Sequence, residues 1–238
     1  MYIYKRLFNL FVWLLGLNDP YIAGGKSLGR YSYLRRLAKS NLNWIIIDAG
    51  AHTGSFTDRA SKHLEIKKAI FIEPNNEHHQ ELLRKNYNSV CIRKGLSIVN
   101  QTKFYTRNIK NSGQNYTSST VKSKEKVVCI TINSIFRSYK VKNNEYYFLK
   151  LDIEGNELEI LRTVAAKYFD RIAAMSVEIH YGKNTVNIID QLNEFLPSNF
   201  NVFRETRYGL NELSRIKPHW TDQLNLFQNL IILNTNYI

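Results

Sequence analysis

Two short stretches carry the residue types from which a reaction centre can be built: Asp48-Ala49-Gly50-Ala51-His52-Thr53-Gly54, and later Lys150-Leu151-Asp152-Ile153-Glu154-Gly155-Asn156-Glu157. Each follows an apolar run (44–47 and 146–149) and each precedes a helical pattern. Both therefore sit where strands of an α/β sheet end, and ligands bind there. The first stretch lacks the Gly-Lys-Ser/Thr ending of a phosphate loop and the third glycine of a dinucleotide turn. An acidic residue before two glycines four apart favours a nucleoside ligand without phosphates.

The next apolar run, 69–72, ends in Glu73, 25 residues after Asp48. A carboxylate at the end of the neighbouring strand reaches paired ribose hydroxyls at that spacing. Gly50 and Gly54 let backbone approach a ligand closely, while Asp48 either accepts hydrogen bonds from an ammonium group or fixes the turn. S-adenosylmethionine has the matching parts: a methionine end, a ribose diol and no phosphate. A Gly-x-x-x-Gly turn alone describes a tight strand-to-helix connection equally well, and Asp48 with Glu73 on consecutive strands tips the reading towards a ligand site.

The strings IIIDAGAHTGSF, FIEPN, GLSI, FLKLDIEGNELEILR and SVEIH, in this order and spacing, resemble the FkbM-type methyltransferases over roughly residues 44–180. KLDIEGNE is the most specific of them. The resemblance implies an S-adenosylmethionine-dependent enzyme of three-layer, Rossmann-like methyltransferase fold, its seven-stranded sheet mostly parallel with the final strand reversed. It implies methyl transfer to a hydroxyl oxygen, with a hydroxyl-bearing small molecule, sugar or glycan as acceptor. On the matching positions it sets the cofactor against Asp48, Gly50, His52, Gly54, Glu73, Pro74, Ser97 and Asp152.

A sulfonium is already a good leaving group, so the protein need only hold an acceptor oxygen in line and remove its proton. Candidates for the base are Asp152 and Glu154 after the fourth strand, and Glu178 and His180 at the end of the fifth. Residues two apart share a side of a strand, so the two pairs should meet in one crevice. His180 is the first choice, because an unperturbed pKa of about 6.5 leaves it largely neutral near pH 7. Asp152 reads also as a contact to the methionine end or the acceptor, and Glu154 and Glu157 as first-turn acids favoured by a helix N-terminus. Asp152, Glu178 and His180 could offer metal ligands. No metal is expected, because the Asp-Asn pair usual in metal-assisted hydroxyl methylation is missing after the fifth strand. His78 and His79, on a polar helix, read as exposed.

Helical composition at 55–64, 76–86, 157–168 and 186–196 alternates with strands at 44–47, 69–72, 90–98, 146–149, 172–179, 201–205 and 229–233. Seven strands with interleaved helices make a mostly parallel sheet covered on both faces. A Ser/Thr/Lys-rich tract at 103–128 reads as a hairpin-like insertion or a solvated loop. A long connection at 206–226, carrying Arg207, Tyr208, His219 and Trp220, suits stacking on a sugar face or packing on the leading segment.

With 238 residues, 44% of them hydrophobic, the chain can bury the core of one α/β domain. Cys91 and Cys129 lack metal-ligand spacing and make no disulfide framework, which reads as a reducing, cytoplasmic compartment. The formal net charge is +13. Residues 1–43 hold seven basic side chains (Lys5, Arg6, Lys26, Arg30, Arg35, Arg36, Lys39) against Asp19 alone, and the apolar run 7–17 is too short to span a bilayer. This leading segment reads as an interfacial helix on an anionic membrane, or as a helix packed on the domain that follows at 44–238. Two rival classes remain in view: an NAD-dependent oxidoreductase using Glu73 on its ribose, and a basic membrane- or RNA-binding protein on an inactive scaffold. The missing third glycine weighs against the first. No aromatic RNA-recognition motif supports nucleic acid.

Overall fold

Strands apolar at nearly every position bury both faces, as a parallel sheet covered by helices requires. The computed structural model describes residues 31–106, 116–118, 125–180, 188–206, 209–212 and 227–238. The apolar run 7–17, Lys5, Arg6, Lys26 and Arg30, together with Arg207, Tyr208, His219 and Trp220, lie outside the described residues. In chain order the strands are β1 (Asn43–Ala49), β2 (Ile66–Ile72), β3 (Ser89–Ile92), β4 (Gly95–Leu96), β5 (Gln101–Thr106), β6 (Tyr116–Ser118), β7 (Glu125–Ile130), β8 (Glu145–Leu151), β9 (Ile172–His180), β10 (Phe200–Thr206), β11 (Gly209–Glu212) and β12 (Phe227–Asn234). The helices are α1 (Ser32–Ala38), α2 (Ser55–Ala60), α3 (Asn76–Leu83), α4 (Ile132–Ser138), α5 (Glu157–Arg162), α6 (Ala166–Phe169) and α7 (Ile188–Asn193).

The main sheet has the order β11-β10-β12-β9-β8-β1-β2-β3. Strands β3, β2, β1, β8 and β9 pair in parallel, and β12 runs antiparallel to both β9 and β10. The seven expected strands are all present with the last one reversed. An eighth, β11, is added at the edge, antiparallel to β10. From β1 the chain crosses to β2 on one side, and β8 arrives on the other, so the switch point of the sheet lies between β1 and β8. The two motifs thus leave adjacent strands side by side.

Alternation along the strands divides the core in two. Ile45 and Ile47 face a layer containing Ile132, Phe136, Ile160, Leu161 and Leu192 from α4, α5 and α7. Trp44, Ile46 and Phe148 face Tyr33, Leu34 and Leu37 of α1 and Phe56 of α2. Phe148 is edge-on to Tyr33 and Phe56, with ring centroids 6.3 and 5.4 Å away. The leading segment is therefore built into the domain from α1 onward. Among the described residues no helix is long and apolar enough to cross a membrane.

Three elements differ from expectation. The third strand divides: Ser89–Ile92 pairs with β2, whereas Gly95–Leu96 pairs with β7 in a second sheet, β4-β7-β5-β6, which is the hairpin-like insertion. Helix α4 was not expected; Thr131 caps it by accepting the Ser134 amide at 3.2 Å. The long helix expected at 157–168 breaks into α5 and α6, because the Asn133 side chain offers the backbone an alternative. Its Nδ2 donates to Thr163 O at 2.6 Å and its Oδ1 accepts the Ala165 amide at 3.0 Å. Asn133→Ala should leave both groups unpartnered and lower unfolding stability by about 1–3 kcal/mol, measured by urea denaturation; an unchanged midpoint would mean that the break is set elsewhere.

Candidate active site

Lys150 enters the site on a strand that is otherwise apolar after its first residue, Glu145, with its side chain buried between the two motif loops. Its Nζ donates to the carbonyls of Gly50 at 2.7 Å and Ala49 at 3.3 Å, and stands 3.4 Å from both Asp48 Oδ1 and Asp152 Oδ2. Burial works against its charge, but Asp48 first and then Asp152 outweigh it and raise its pKa. Asp48 is 0% exposed; its other oxygen accepts the Thr57 hydroxyl at 2.8 Å. Of the two roles open to Asp48, the geometry supports fixing the turn, since a fully buried carboxylate held this way offers nothing to a ligand ammonium.

Gly50 has φ +69°, and a Cβ there would lie 1.7 Å from the Asp152 carbonyl oxygen. The glycine is needed so that the second loop can pass, in addition to any approach by a ligand. Gly54 does not face the cavity. It has φ +76° at the start of α2, and the space its missing Cβ leaves is filled by Lys85 and Leu82. Four amides of the turn are spent within the protein: Gly50 and Ala51 donate to Ile72 O, Gly54 donates to Ala51 O, and His52 donates to Glu73 Oε2 at 2.8 Å. Glu73 Oε1 accepts the Asn75 amide at 2.8 Å, and Asn75 in turn caps α3. His78, expected to be exposed, is buried on α3 with its ring centroid 3.7 Å from that of His52. Burial, and then the charge of His78, lower the pKa of His52.

On the other side of Lys150, four carboxylates surround one imidazole. His180 Nδ1 lies 2.9 Å from Glu157 Oε1, while Nε2 lies 3.3 Å from Glu154, 3.9 Å from Glu178 and 4.0 Å from Asp152. Glu157 is 1% exposed and also accepts the amides of Gly155 at 2.8 Å and Ile153 at 3.3 Å. It is thus more than a first-turn acid: it shapes the loop and orients the ring. Glu154 and Asn156 hold left-handed φ values of 61° and 66° in that loop, which such residues keep only when their surroundings over-determine them.

The expectation of a neutral His180 is not met. Burial opposes its charge, but the hydrogen bond and charge of Glu157, then Glu154 and Asp152, prevail and raise its pKa to about 9. The ring carries its proton at neutral pH and cannot accept another. Burial raises the pKa of Glu154; the charge of His180 pulls it back, and Asp152, Glu178 and Glu157 push it further up. Asp152, Glu178 and His180 also lie close enough to share a metal ion, within 4.8 Å of one another. A metal would have to displace the proton from Nε2.

A cavity of about 360 Å³ joins these halves, within the size range of small-molecule sites. Of the expected residues, Gly50, His52, Glu73, Pro74, Asp152, Glu154 and Glu178 line it. Asp48, Gly54, Ser97 and His180 stand behind its wall; Ser97 is buried, donates its amide to Ile130 O and accepts from the Gln101 side chain, and its neighbours Lys94 and Leu96 line the cavity in its place. Sequence reasoning missed Lys150, Glu157 and His78. A lysine inside an apolar strand was the available signal for the first, since lysine is rarely buried unless paired.

A family model described as a methyltransferase FkbM domain matches residues 48–208. No curated protein matches the chain. Among solved structures, a methyltransferase FkbM from Methylobacillus flagellatus aligns over 79% of this chain at 13% identity and a TM-score of 0.47. The alignment spans 42% of that protein, so this chain corresponds to less than half its length. Streptococcus mutans SMU.1697c, solved with SAH, aligns over 85% of this chain and 96% of its own at 14% identity, TM-score 0.45. M. capricolum TrmK with S-adenosylhomocysteine aligns over 86% and 68% at 15% identity, TM-score 0.37.

The cluster makes a pH prediction. The folded pKa of His180, about 9, exceeds the ordinary 6.5, so its stabilisation is complete below pH 6.5 and is lost as pH rises through about 9. Imidazole NMR should find one histidine titrating near 9, and Glu157→Gln should bring it down. A His180 resonance titrating near 6.5 in the native protein would contradict the cluster as described.

Proposed function

This chain belongs to the FkbM methyltransferase family, and from that membership we propose that it methylates a hydroxyl oxygen on a sugar or glycan, using S-adenosylmethionine. The observation that carries the choice of cofactor is the state of the glycine turn. The amides of Gly50, Ala51, His52 and Gly54 donate to Ile72, Ala51 and Glu73, so these four are not available to cradle a pyrophosphate, which weighs against the NAD-dependent alternative. The remaining donor set fits a phosphate-free nucleoside. Glu73, with one amide on each carboxylate oxygen, keeps further lone pairs for a ribose diol. Ile72, Leu96 and Phe56 supply apolar wall, and the carboxylates towards Asp152 suit a cationic methionine end.

When bound, the cofactor supplies a sulfonium methyl that an oxygen nucleophile can take. The protein's part is to place the acceptor and receive its proton. Glu154 is the base in this reading: it lines the cavity, and its raised pKa makes it a better proton acceptor than an ordinary carboxylate. Glu154 would receive the hydroxyl proton as the acceptor oxygen takes the methyl group that the bound cofactor would supply, with the sulfonium leaving as a neutral thioether. His180, protonated and 3.3 Å from Glu154, holds that carboxylate in place, and Asp152 and Glu178 accept hydrogen bonds from the acceptor. A cytoplasmic location belongs to the same reading, supported by the two free cysteines, Cys91 and Cys129.

Two measurements test this. In calorimetry S-adenosylmethionine should bind and NADH should not, and Glu73→Ala should weaken binding by about 1.5–3 kcal/mol, the scale of hydrogen bonds to a charged group. With methyl-labelled cofactor, label should reach neutral sugars or glycolipids, and Glu154→Gln should lower turnover about a hundredfold or more while cofactor affinity holds. Tight NADH binding with no response to S-adenosylmethionine would reverse the assignment; full turnover by Glu154→Gln would remove the base.

A further inference from the structure

Part of the cavity wall is supplied by neither motif. There Ser176 and Glu178 of β9, Asn229 of β12 and Glu205 of β10 meet Tyr31, which precedes α1. Tyr31 is held there against a conformational cost. Its backbone is left-handed, φ 69° and ψ 11°, without being glycine, a state that costs on the order of 1–3 kcal/mol. Its amide donates to Glu205 Oε1, which ties the leading segment to β10, and the Arg59 guanidinium lies 3.9 Å from the centre of its ring.

We propose that Tyr31 and Glu205 form the acceptor wall of the site, shaped for an uncharged polyhydroxylated ring. This rests on the methyltransferase reading above. An aromatic ring fixed at a cavity border gives a flat apolar face to the C–H side of a sugar, while the carboxylates of Glu178 and Glu205 and the Asn229 amide meet its hydroxyls. The cavity is lined by Glu73, Asp152, Glu154, Glu178 and Glu205 against Lys94 and Lys150, an excess of negative charge that disfavours an acceptor bearing a carboxylate or phosphate near the methylated oxygen. Glu205 therefore has two separable parts. Its oxygen positions Tyr31, and its charge selects against anions.

The test uses bisubstrate analogues: S-adenosylhomocysteine joined through one carbon on sulfur to a hydroxyl oxygen of methyl gluco-, galacto- or mannoside, and the matching uronates. At least one neutral analogue should bind tenfold or more tighter than S-adenosylhomocysteine itself, the order of one good polar contact, and no uronate should gain. Tyr31→Ala should abolish the gain with S-adenosylhomocysteine affinity unchanged, Tyr31→Phe should keep it, and Glu205→Gln should admit the uronates. Melting temperatures of the variants separate lost folding from lost contact. Uronates gaining as much as neutral sugars, or Tyr31→Ala keeping the full gain, would overturn the wall. Failure of S-adenosylhomocysteine to bind would instead overturn the cofactor reading, and the wall with it.

Discussion

One buried cation holds the two halves of the site together. Lys150 pairs with Asp48 from the first loop and Asp152 from the second, and donates to two carbonyls of the glycine turn. Desolvating an ammonium costs several kcal/mol unless it is paired and hydrogen-bonded, and neither loop alone supplies both carboxylates. The loops must therefore come together to satisfy the lysine, and the absent Cβ of Gly50 leaves room for the Asp152 carbonyl as they do. The switch point between β1 and β8 brings the loops into range; the lysine makes their juxtaposition a requirement of burial.

The second consequence is electrostatic. Glu157, Glu154 and Asp152 act together on His180 against the cost of its burial, and the ring answers by keeping its proton. Glu157 serves backbone and imidazole together, so the conformation of the loop and the orientation of the ring are linked. A charged histidine in the middle of the cluster leaves proton acceptance to the carboxylates that line the cavity. In the proposed reading the base is therefore chosen by local charge balance, where an isolated pKa would have chosen the histidine.

Much of the fold was legible because strand and helix periods are local. The runs ending in Asp48, Glu73 and Lys150 marked strand ends, and they are strand ends. Legibility failed where side chains compete with backbone: Asn133, 30 residues from Thr163 in sequence, breaks a helix that its own residues favour. In the site, residue types and spacing found the acids, but not their occupation. Asp48 read as either a ligand contact or a brace of the turn, and it engages Thr57 and Lys150; Gly54 looked like a ligand contact and faces α3. His78 looked solvated from helix composition alone, yet the turn between β1 and α2 brings His52 over it. Tyr31 and Glu205 lie 174 residues apart, and no local pattern announces that they meet.

The dependence of both loops on Lys150 is tested most directly by titrating S-adenosylhomocysteine into Lys150→Met by calorimetry, alongside its thermal unfolding. Removing the cation leaves Asp48 buried without its counter-charge, a loss of about 3–5 kcal/mol by the scale of broken buried pairs. The account predicts a lower melting temperature together with at least tenfold weaker binding. Wild-type affinity in a variant of wild-type stability would contradict it.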